Sequence, residues 1–303
     1  MIRTILVREA QVSFVHGSAE LHVRGLVAEL RRHGYRAERV SVPFKWHPKD
    51  ALLAHAAAWR MVDLSDSNGQ SIDLVIATKF PTYFVRYPIG ESARLFSNAR
   101  NTVARLAPYN GLTAEPLCHP PPLAGRLKAG PLGDDVLSVG RLETVKRVDL
   151  IVGALAHVDR RVRLIVVGEG PLRRQREEQA AGIGVADRVT WAGGVDQQQL
   201  VDLYAGTLAV VFPPYDEDYG YITLEAFLAR KPVVTTTDAG GPLEFVENAV
   251  TGLVTDPRSE ALGAAISRLA ADRRLAASVG DARYDRSRSI TWEGVVERLV
   301  ADR

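Results

Sequence analysis

The chain has 303 residues, of which 46% are hydrophobic and 24% are charged, and its 38 Lys and Arg exceed its 36 Asp and Glu by two. That length and apolar fraction suit one large or two ordinary domains with real cores. The near-neutral charge argues against a nucleic-acid binder that relies on a basic surface. The single cysteine, Cys118, cannot form an intrachain disulfide or a cysteine zinc cluster. Neither a membrane-length apolar run nor a secretory leader is evident, so we expect a soluble protein of the cytoplasm.

Strands and helices alternate in the first part of the chain. The apolar patterns predict, in order, strand 4–7, helix 18–33, strand 37–42, helix 49–63 and strand 73–77. From about 88 to 131 the pattern loosens, although 95–106 predicts a short strand that leads into a helix. The segment 125–135 has the Gly- and Pro-rich composition of a linker. We therefore expect a doubly wound α/β domain that ends near residue 131.

The second part of the chain is more regular. Buried apolar runs predict strands at 135–142, 163–168, 188–193, 208–212 and 232–236. Amphipathic spacing predicts helices at 147–158, 172–181, 196–205, 222–230, 242–248, 258–271, 273–287 and 291–302. Strands separated by helices of this length form a parallel sheet with helices on both faces. We expect an α/β protein with domains 1–131 and 132–290 and a C-terminal helix, 291–303.

Two turns at the predicted carboxyl ends of strands carry charge where such sheets bind ligands. Arg141 and Lys146 follow the strand 135–142 at the head of a helix, which suits a phosphate or diphosphate. A solvated basic turn is the alternative, and it is the commoner setting for Arg and Lys. In the turn 213–227, Glu217 lies in the loop and Glu225 in the following helix. A carboxylate at that place in a helix can accept hydrogen bonds from vicinal sugar hydroxyls.

Three weaker patterns are interpreted as structural. Asp216 and Asp218 spell D-x-D, but no third ligand is near, so we predict no metal site. The turn 235–245 has Glu244 in the first turn of a helix, where the helix dipole alone explains it. In VVGEGPL (166–172), Arg173 stands where the third glycine of a dinucleotide fingerprint belongs, which argues against NAD.

Glu217 and Glu225 have seven residues between them, and this E-x7-E pattern follows GRLETVK (140–146) and VVGEGP in a fixed order. With these motifs, residues 135–303 resemble the donor-binding half of a retaining glycosyltransferase of family 4. The segment 14–30 resembles that family's first loop and helix, and the last helix resembles the segment that crosses back to the first domain.

The resemblance implies the GT-B fold, in which two Rossmann-like domains with parallel sheets face each other across a cleft. Arg141, Lys146 and Glu217 would be the catalytic residues, with the two cations on the leaving diphosphate and Glu217 on the donor sugar. Glu225 would bind the ribose hydroxyls. The remaining contacts to the nucleotide sugar would come from Gly17, Ser18, Gly220, Tyr221 and Ile222. No metal or other cofactor is implied, and the donor would be linked to UDP or GDP.

The main departure from the family lies after KFPTYFVRYP (79–88), where a strand, its loop and a helix are missing. Such a unit has roughly 30 residues, so the first domain is predicted to lack about one βα unit. Unpaired sheet edges would follow unless the sheet closes up or another chain covers it, which leaves self-association open. The acceptor-side candidates, chosen only for their position at strand ends, are Lys45, Trp46, His47 and Lys79.

Three functions compete at this point. The first is a retaining hexosyltransferase that acts on a small-molecule, glycan or lipid-linked acceptor, with peripheral membrane contact left open. The second is a degenerate or deletion form that binds a nucleotide sugar with little transfer. The third is a non-enzymatic scaffold subunit, which would have no reason to keep the four charged residues of the motifs together.

Overall fold

The structure is a computed structural model, and it describes residues 4–9, 18–41, 74–79, 82–86, 93–110 and 113–301. The chain divides into two compact units, Met1–Pro122 together with Ile290–Arg303, and Leu123–Ser289. The second unit thus begins ahead of the predicted boundary at residue 131, and the C-terminal helix belongs to the first unit. In these ranges, no helix has the length and apolar character needed to span a membrane.

The first unit contains a six-stranded sheet in the order β2-β1-β3-β4-β5-β6. Its strands are β1 (Thr4–Glu9), β2 (Arg36–Ser41), β3 (Leu74–Lys79), β4 (Thr82–Arg86), β5 (Ala93–Ser97) and β6 (Glu115–Pro116). Its first two described helices are α1 (Ser18–Arg32) and α2 (Arg100–Asn110). The α/β class predicted from sequence is confirmed, while β4 was not predicted.

β4 runs antiparallel to both of its neighbours, β3 and β5, which differs from the expected all-parallel sheet. Chain length explains the direction. Only residues 80–81 separate β3 from β4, and only 87–92 separate β4 from β5. Parallel neighbours need a crossover of a dozen or more residues, whereas antiparallel neighbours need only a short turn. The sheet therefore closes up where a βα unit was expected to be missing, which is one of the outcomes that the sequence analysis left open.

The second unit contains a sheet in which every pairing is parallel, in the order β12-β11-β10-β7-β8-β9. Its strands are β7 (Asp135–Val139), β8 (Arg163–Val167), β9 (Val189–Gly193), β10 (Ala209–Val211), β11 (Val233–Thr236) and β12 (Gly252–Thr255). Its helices are α3 (Val148–Ala154), α4 (Arg173–Gly182), α5 (Gln197–Gly206), α6 (Tyr221–Leu228), α7 (Ser259–Ala271), α8 (Arg273–Asp281) and α9 (Tyr284–Arg288). The predicted strands are confirmed, and β12 was not predicted. The single helix predicted at 273–287 is two helices, and the helix predicted at 242–248 is a single 3-10 turn, Gly241–Glu244.

The strand order of the second unit is that of a doubly wound Rossmann sheet, 3-2-1-4-5-6. The chain leaves β7 towards β8 on one side and leaves β10 towards β11 on the other. Because β7 and β10 are neighbours, their loops diverge and open a crevice beyond the carboxyl ends of the strands. The sheet topology therefore places the two charged turns singled out in the sequence on either side of one crevice.

A buried lysine forms hydrogen bonds to the backbone of the segment that precedes β7. Lys231 lies in the turn between α6 and β11 and is fully buried. Its ammonium donates hydrogen bonds to the carbonyls of Gly130 (2.9 Å) and Pro131 (2.8 Å). Burial lowers the pKa of Lys231 to about 8. The predicted linker is thus tied to the sheet before β7 begins.

In the first unit, the C-terminal helix α10 (Trp292–Val300) packs on α1. Both helices contribute buried apolar residues to one core: Val23, Leu26, Val27, Leu30, Val295, Val296 and Leu299. The Trp292 ring stacks on His119 with centroids 5.7 Å apart. A Cβ at Gly25 would lie 2.9 Å from the Trp292 ring, so a residue without a side chain allows this close packing.

Candidate functional site

The loop that follows β7 is held by the loop that follows β8. The amide of Gly140 donates to the carbonyl of Val167 (2.9 Å), and the amide of Leu142 donates to the carbonyl of Glu169 (3.0 Å). Gly168 has φ 123°, and a Cβ there would lie 2.0 Å from the Gly140 carbonyl oxygen. Only glycine fits this position without moving backbone. The VVGEGP motif therefore fixes the path of the loop that carries Arg141 and Lys146.

Lys146 and Glu217 meet across the crevice. The ammonium of Lys146 forms an ion pair with the Glu217 carboxylate, and the two side chains are only 22% and 18% exposed. The Lys146 ammonium also lies 5.7 Å from the centroid of the Phe212 ring. Partial burial beside a ring strengthens charge interactions relative to those in water. The structure thus brings two predicted catalytic residues, 71 positions apart, into direct contact at the switch point.

Arg141 is placed differently. Its side chain is 74% exposed and pairs with Glu143 at 2.7 Å rather than with Glu217. An exposed pair of this kind contributes little to stability, roughly 0–1 kcal/mol. The guanidinium therefore lies at the surface of the same loop, where an anionic ligand can reach it.

Glu225 lies inside α6 and is 7% exposed. Its carboxylate accepts a hydrogen bond from the Tyr204 hydroxyl at 2.7 Å. Burial raises the pKa of the Glu225 carboxyl to about 6, although the hydrogen bond from Tyr204 acts in the opposite direction. Burial and the nearby Glu225 carboxylate raise the pKa of Tyr221 well above its usual value. A buried carboxyl that is perturbed by desolvation beside a crevice is a candidate for function.

Gly220 begins α6 in the left-handed region, with φ 76°. A Cβ there would lie 2.9 Å from the Pro242 ring and 3.0 Å from the Phe212 ring. The next two residues, Tyr221 and Ile222, occupy the first turn of α6, where backbone amides have no intrahelical acceptor and the helix dipole favours an anion. This helix start borders the loop that carries Glu217.

Two residues that the sequence analysis missed complete the site. Arg147 donates to both carboxylate oxygens of Asp238, at 2.9 and 2.6 Å, and lies 5.0 Å from the Tyr215 ring centroid. Arg147 also has φ 50°, a left-handed conformation that costs a residue other than glycine about 1–2 kcal/mol. The Arg147 guanidinium lowers the pKa of the Asp238 carboxyl. The position of Arg147 directly after Lys146 was the feature of the sequence that could have revealed it. Asp238 was missed because it lies in the turn 235–245, which we interpreted as structural.

Other predicted site residues lie partly or wholly outside the described residues. Those outside are Gly17, Lys45, Trp46 and His47. Ser18 is the first residue of α1 and Lys79 is the last residue of β3, and only their backbone is described. Within the described ranges, no three His, Cys, Asp or Glu side chains are grouped so as to hold a metal, and this includes Asp216 and Asp218.

The two units together have the fold of the GT-B class, two Rossmann-like α/β units, and the charged crevice lies at the switch point of the second. Solved structures share this fold: the Anabaena protein HepE, crystallised with UDP and glucose, is 18% identical with a TM-score of 0.71, and the match covers 98% of each chain. A family model described as glycosyl transferases group 1 matches residues 132–286. The chain belongs to this glycosyl transferase group 1 family.

Curated relatives match more locally. The D-inositol 3-phosphate glycosyltransferase of Geodermatophilus obscurus is 30% identical over 241 residues, which cover 70% of this chain and 52% of the relative. A Mycobacterium tuberculosis protein, the GDP-mannose-dependent α-(1-6)-phosphatidylinositol monomannoside mannosyltransferase, is 35% identical over 158 residues, 48% of this chain and 41% of the relative. The chain therefore spans about half the length of these relatives, or less.

Proposed function

We propose that the protein is a retaining glycosyltransferase that transfers a hexose from a UDP- or GDP-linked donor to an acceptor hydroxyl. The ion pair between Lys146 and Glu217 carries the proposal, because it places a cation and a carboxylate together at the switch point of a group 1 fold. A diphosphate needs the cation and a sugar needs the carboxylate. The fold alone would not distinguish this activity from others.

In the proposed reaction, the bond between the anomeric carbon and the phosphate oxygen breaks, and its electron pair leaves with the nucleoside diphosphate. The acceptor oxygen forms the new bond on the same face of the sugar, and its proton passes to the departing phosphate. Lys146 leaves Glu217 for the diphosphate, where Arg141 joins it. Two positive charges at about 4 Å from the leaving group each contribute up to about 4 kcal/mol at an effective dielectric of 20, before desolvation. Glu217 is then available to the hydroxyls of the donor sugar, and no metal is needed.

The remaining donor contacts of the second unit are assigned to α6. Glu225 is proposed to accept hydrogen bonds from the ribose hydroxyls, with Tyr204 holding one of its carboxylate oxygens. The amides of Tyr221 and Ile222 are proposed to bind the phosphate, with Gly220 allowing the close approach. Binding of hydroxyl donors favours the charged form of Glu225, so donor binding and ionisation support each other.

The acceptor is proposed to bind the first unit. The acceptor-side candidates are Lys45, Trp46, His47 and Lys79, whereas Gly17 and Ser18 in the first loop of this unit are proposed to contact the donor. The names of the relatives mention inositol phosphate and a phosphatidylinositol mannoside, so we propose a polyol phosphate or a lipid-linked glycan as acceptor. Self-association stays a prediction, and light scattering on the purified chain tests it.

A thermal-shift titration with UDP, GDP, ADP and dTDP tests donor binding. A nucleotide at a hundred times its dissociation constant stabilises the folded state by about 2.7 kcal/mol. For a unit of this size the midpoint rises by roughly 5–10 °C. Arg141→Ala should reduce the shift. Arg161→Ala is the control, because Arg161 is 84% exposed and lies before the amino end of β8, whereas the crevice lies beyond the carboxyl ends of the strands.

Release of nucleoside diphosphate from UDP- and GDP-linked hexoses then tests catalysis. Binding without release would favour the form that binds a nucleotide sugar with little transfer. No shift with any nucleotide would refute the donor site and favour the scaffold subunit.

A further inference from the structure

We propose that Asp238, held by Arg147, is the positioning residue that sets the geometry of the Lys146 and Glu217 pair. The inference rests on the proposed function of that pair. Neither Arg147 nor Asp238 is assigned a contact with the donor. Their role is to hold the two loops from which the pair extends.

Both loops contain a strained residue next to the pair. Arg147, directly after Lys146, has φ 50°, and Asp216, directly before Glu217, has φ 44°. Non-glycine residues adopt positive φ rarely, and such strain persists only where surrounding contacts hold it. At Arg147 the left-handed turn sends consecutive side chains to different loops, Lys146 to Glu217 and Arg147 to Asp238.

Asp238 holds both strained residues. Its carboxylate accepts the two hydrogen bonds from Arg147, and its backbone carbonyl accepts the amide of Asp216 at 2.9 Å. One residue further along both loops, the Glu217 amide donates a hydrogen bond to the Ala239 carbonyl, at 3.0 Å. The loop after β11 thus forms a short parallel bridge to the loop that carries Glu217.

These contacts close a ring. Lys146 pairs with Glu217, the backbone at 216–217 pairs with that at 238–239, and the Asp238 side chain pairs with Arg147, which is covalently next to Lys146. A further bond, from the Tyr215 amide to the Val145 carbonyl (2.8 Å), joins the same two loops. Loss of the Arg147 and Asp238 link opens this ring, and the loop after β7 then contacts the loop after β10 through the Lys146 and Glu217 pair and the hydrogen bond between Val145 and Tyr215. A small displacement of a group that acts on the transition state reduces the rate steeply.

The same unit contains a matched control. Arg230 also has positive φ (56°), pairs with Asp281 at 2.8 Å and lies over the Tyr284 ring at 3.9 Å. Arg230 follows α6 and precedes β11, so it lies at the amino ends of the strands, whereas the crevice lies beyond their carboxyl ends. Arg230→Asn therefore removes the same kinds of contact without touching the site.

The experiment compares Arg147→Asn, Asp238→Asn, the double variant and Arg230→Asn in the full chain. Asparagine tolerates the left-handed region, so the backbone conformation survives in each arginine variant. Hydrogen exchange of the nucleotide-free protein reads the loops 141–146 and 214–218 directly. We expect Arg147→Asn and Asp238→Asn each to raise exchange there by about tenfold or more, the double variant to add nothing further, and Arg230→Asn to have no effect in these loops.

Turnover of the donor gives the second readout. We expect kcat to fall by about tenfold in both site variants with KM for the donor nearly unchanged, and Arg147→Lys to recover part of the loss. Unchanged exchange in both loops, or equal losses of kcat in Arg147→Asn and Arg230→Asn, would overturn the inference. A wild-type chain that binds no nucleotide would refute the proposed function instead, while the exchange comparison still decides the role of Asp238.

Discussion

The buried carboxyl of Glu225 makes a quantitative prediction about pH and stability. Its pKa is about 6 in the folded state, against 4.5 without burial. A carboxyl with a raised folded pKa contributes stability that is complete below pH 4.5 and is lost as the pH rises through 6. A raised pKa of this size corresponds to about 2 kcal/mol in total, of which about 1 kcal/mol is lost between pH 5 and pH 8. The wild-type second unit should therefore lose this stability at neutral pH.

Glu225→Gln removes the titration and keeps an oxygen that accepts from Tyr204. The unpaired amide nitrogen of the new side chain destabilises the unit by an amount that does not vary with pH. That amount cancels when the free energy of unfolding of the variant, minus that of wild type, is compared between pH values. We expect this difference to rise by about 1 kcal/mol from pH 5 to pH 8.

Hydrogen exchange of β10 and β11 across a urea series measures the unfolding of the second unit alone. Tyr204→Phe provides a second variant. It removes the hydrogen bond that lowers the pKa of Glu225, so stability should fall more steeply with pH than in wild type. A difference between Glu225→Gln and wild type that stays constant within 0.3 kcal/mol from pH 5 to 8 would contradict the reasoning.

Three further substitutions test other parts of the structure. Gly220→Ala places a Cβ 2.9 Å from Pro242 at φ 76°, so it should destabilise the second unit by about 1–3 kcal/mol. It should also abolish the nucleotide-dependent thermal shift, and an unchanged shift would contradict the proposed role of this helix start. Lys231 has its pKa lowered to about 8, so wild type should gain stability relative to Lys231→Met as the pH rises from 8 to 10, and urea denaturation at both pH values checks the sign. Gly25→Ala should loosen α10 from α1 and raise hydrogen exchange in 292–300, whereas equal protection would show that Trp292 can move aside.

The parts of the fold that follow from local pattern were predictable. The second sheet was predictable because β7, β8, β10 and β11 are apolar runs separated by amphipathic helices. β4 was not predicted because no helix separates it from β3 or β5, and its direction depends on the length of its connections.

The site residues that belong to motifs were predictable from the sequence. The contacts between side chains that are far apart in the sequence were not. Lys146 and Glu217 were each singled out because they sit at strand ends that carry charge. Arg147 and Asp238 are 91 positions apart, and their pairing depends on the left-handed turn at Arg147. The pairing of Tyr204 with Glu225 likewise needs the packing of α5 near α6 and cannot be read from spacing.

The contact between the loops after β7 and β8 limits how the proposed donor site can be re-engineered. Backbone meets backbone there: a Cβ at Gly168 would lie 2.0 Å from the Gly140 oxygen, and one at Gly170 would lie 2.5 Å from the Leu142 oxygen. With no side chain in between, neither loop has slack that repacking could use. Segments 140–147 and 166–172 therefore form a single cassette. We therefore expect that an exchange of donor specificity with a homologue needs both segments grafted together, because a chimera that takes only one of them joins two backbones that did not pack together.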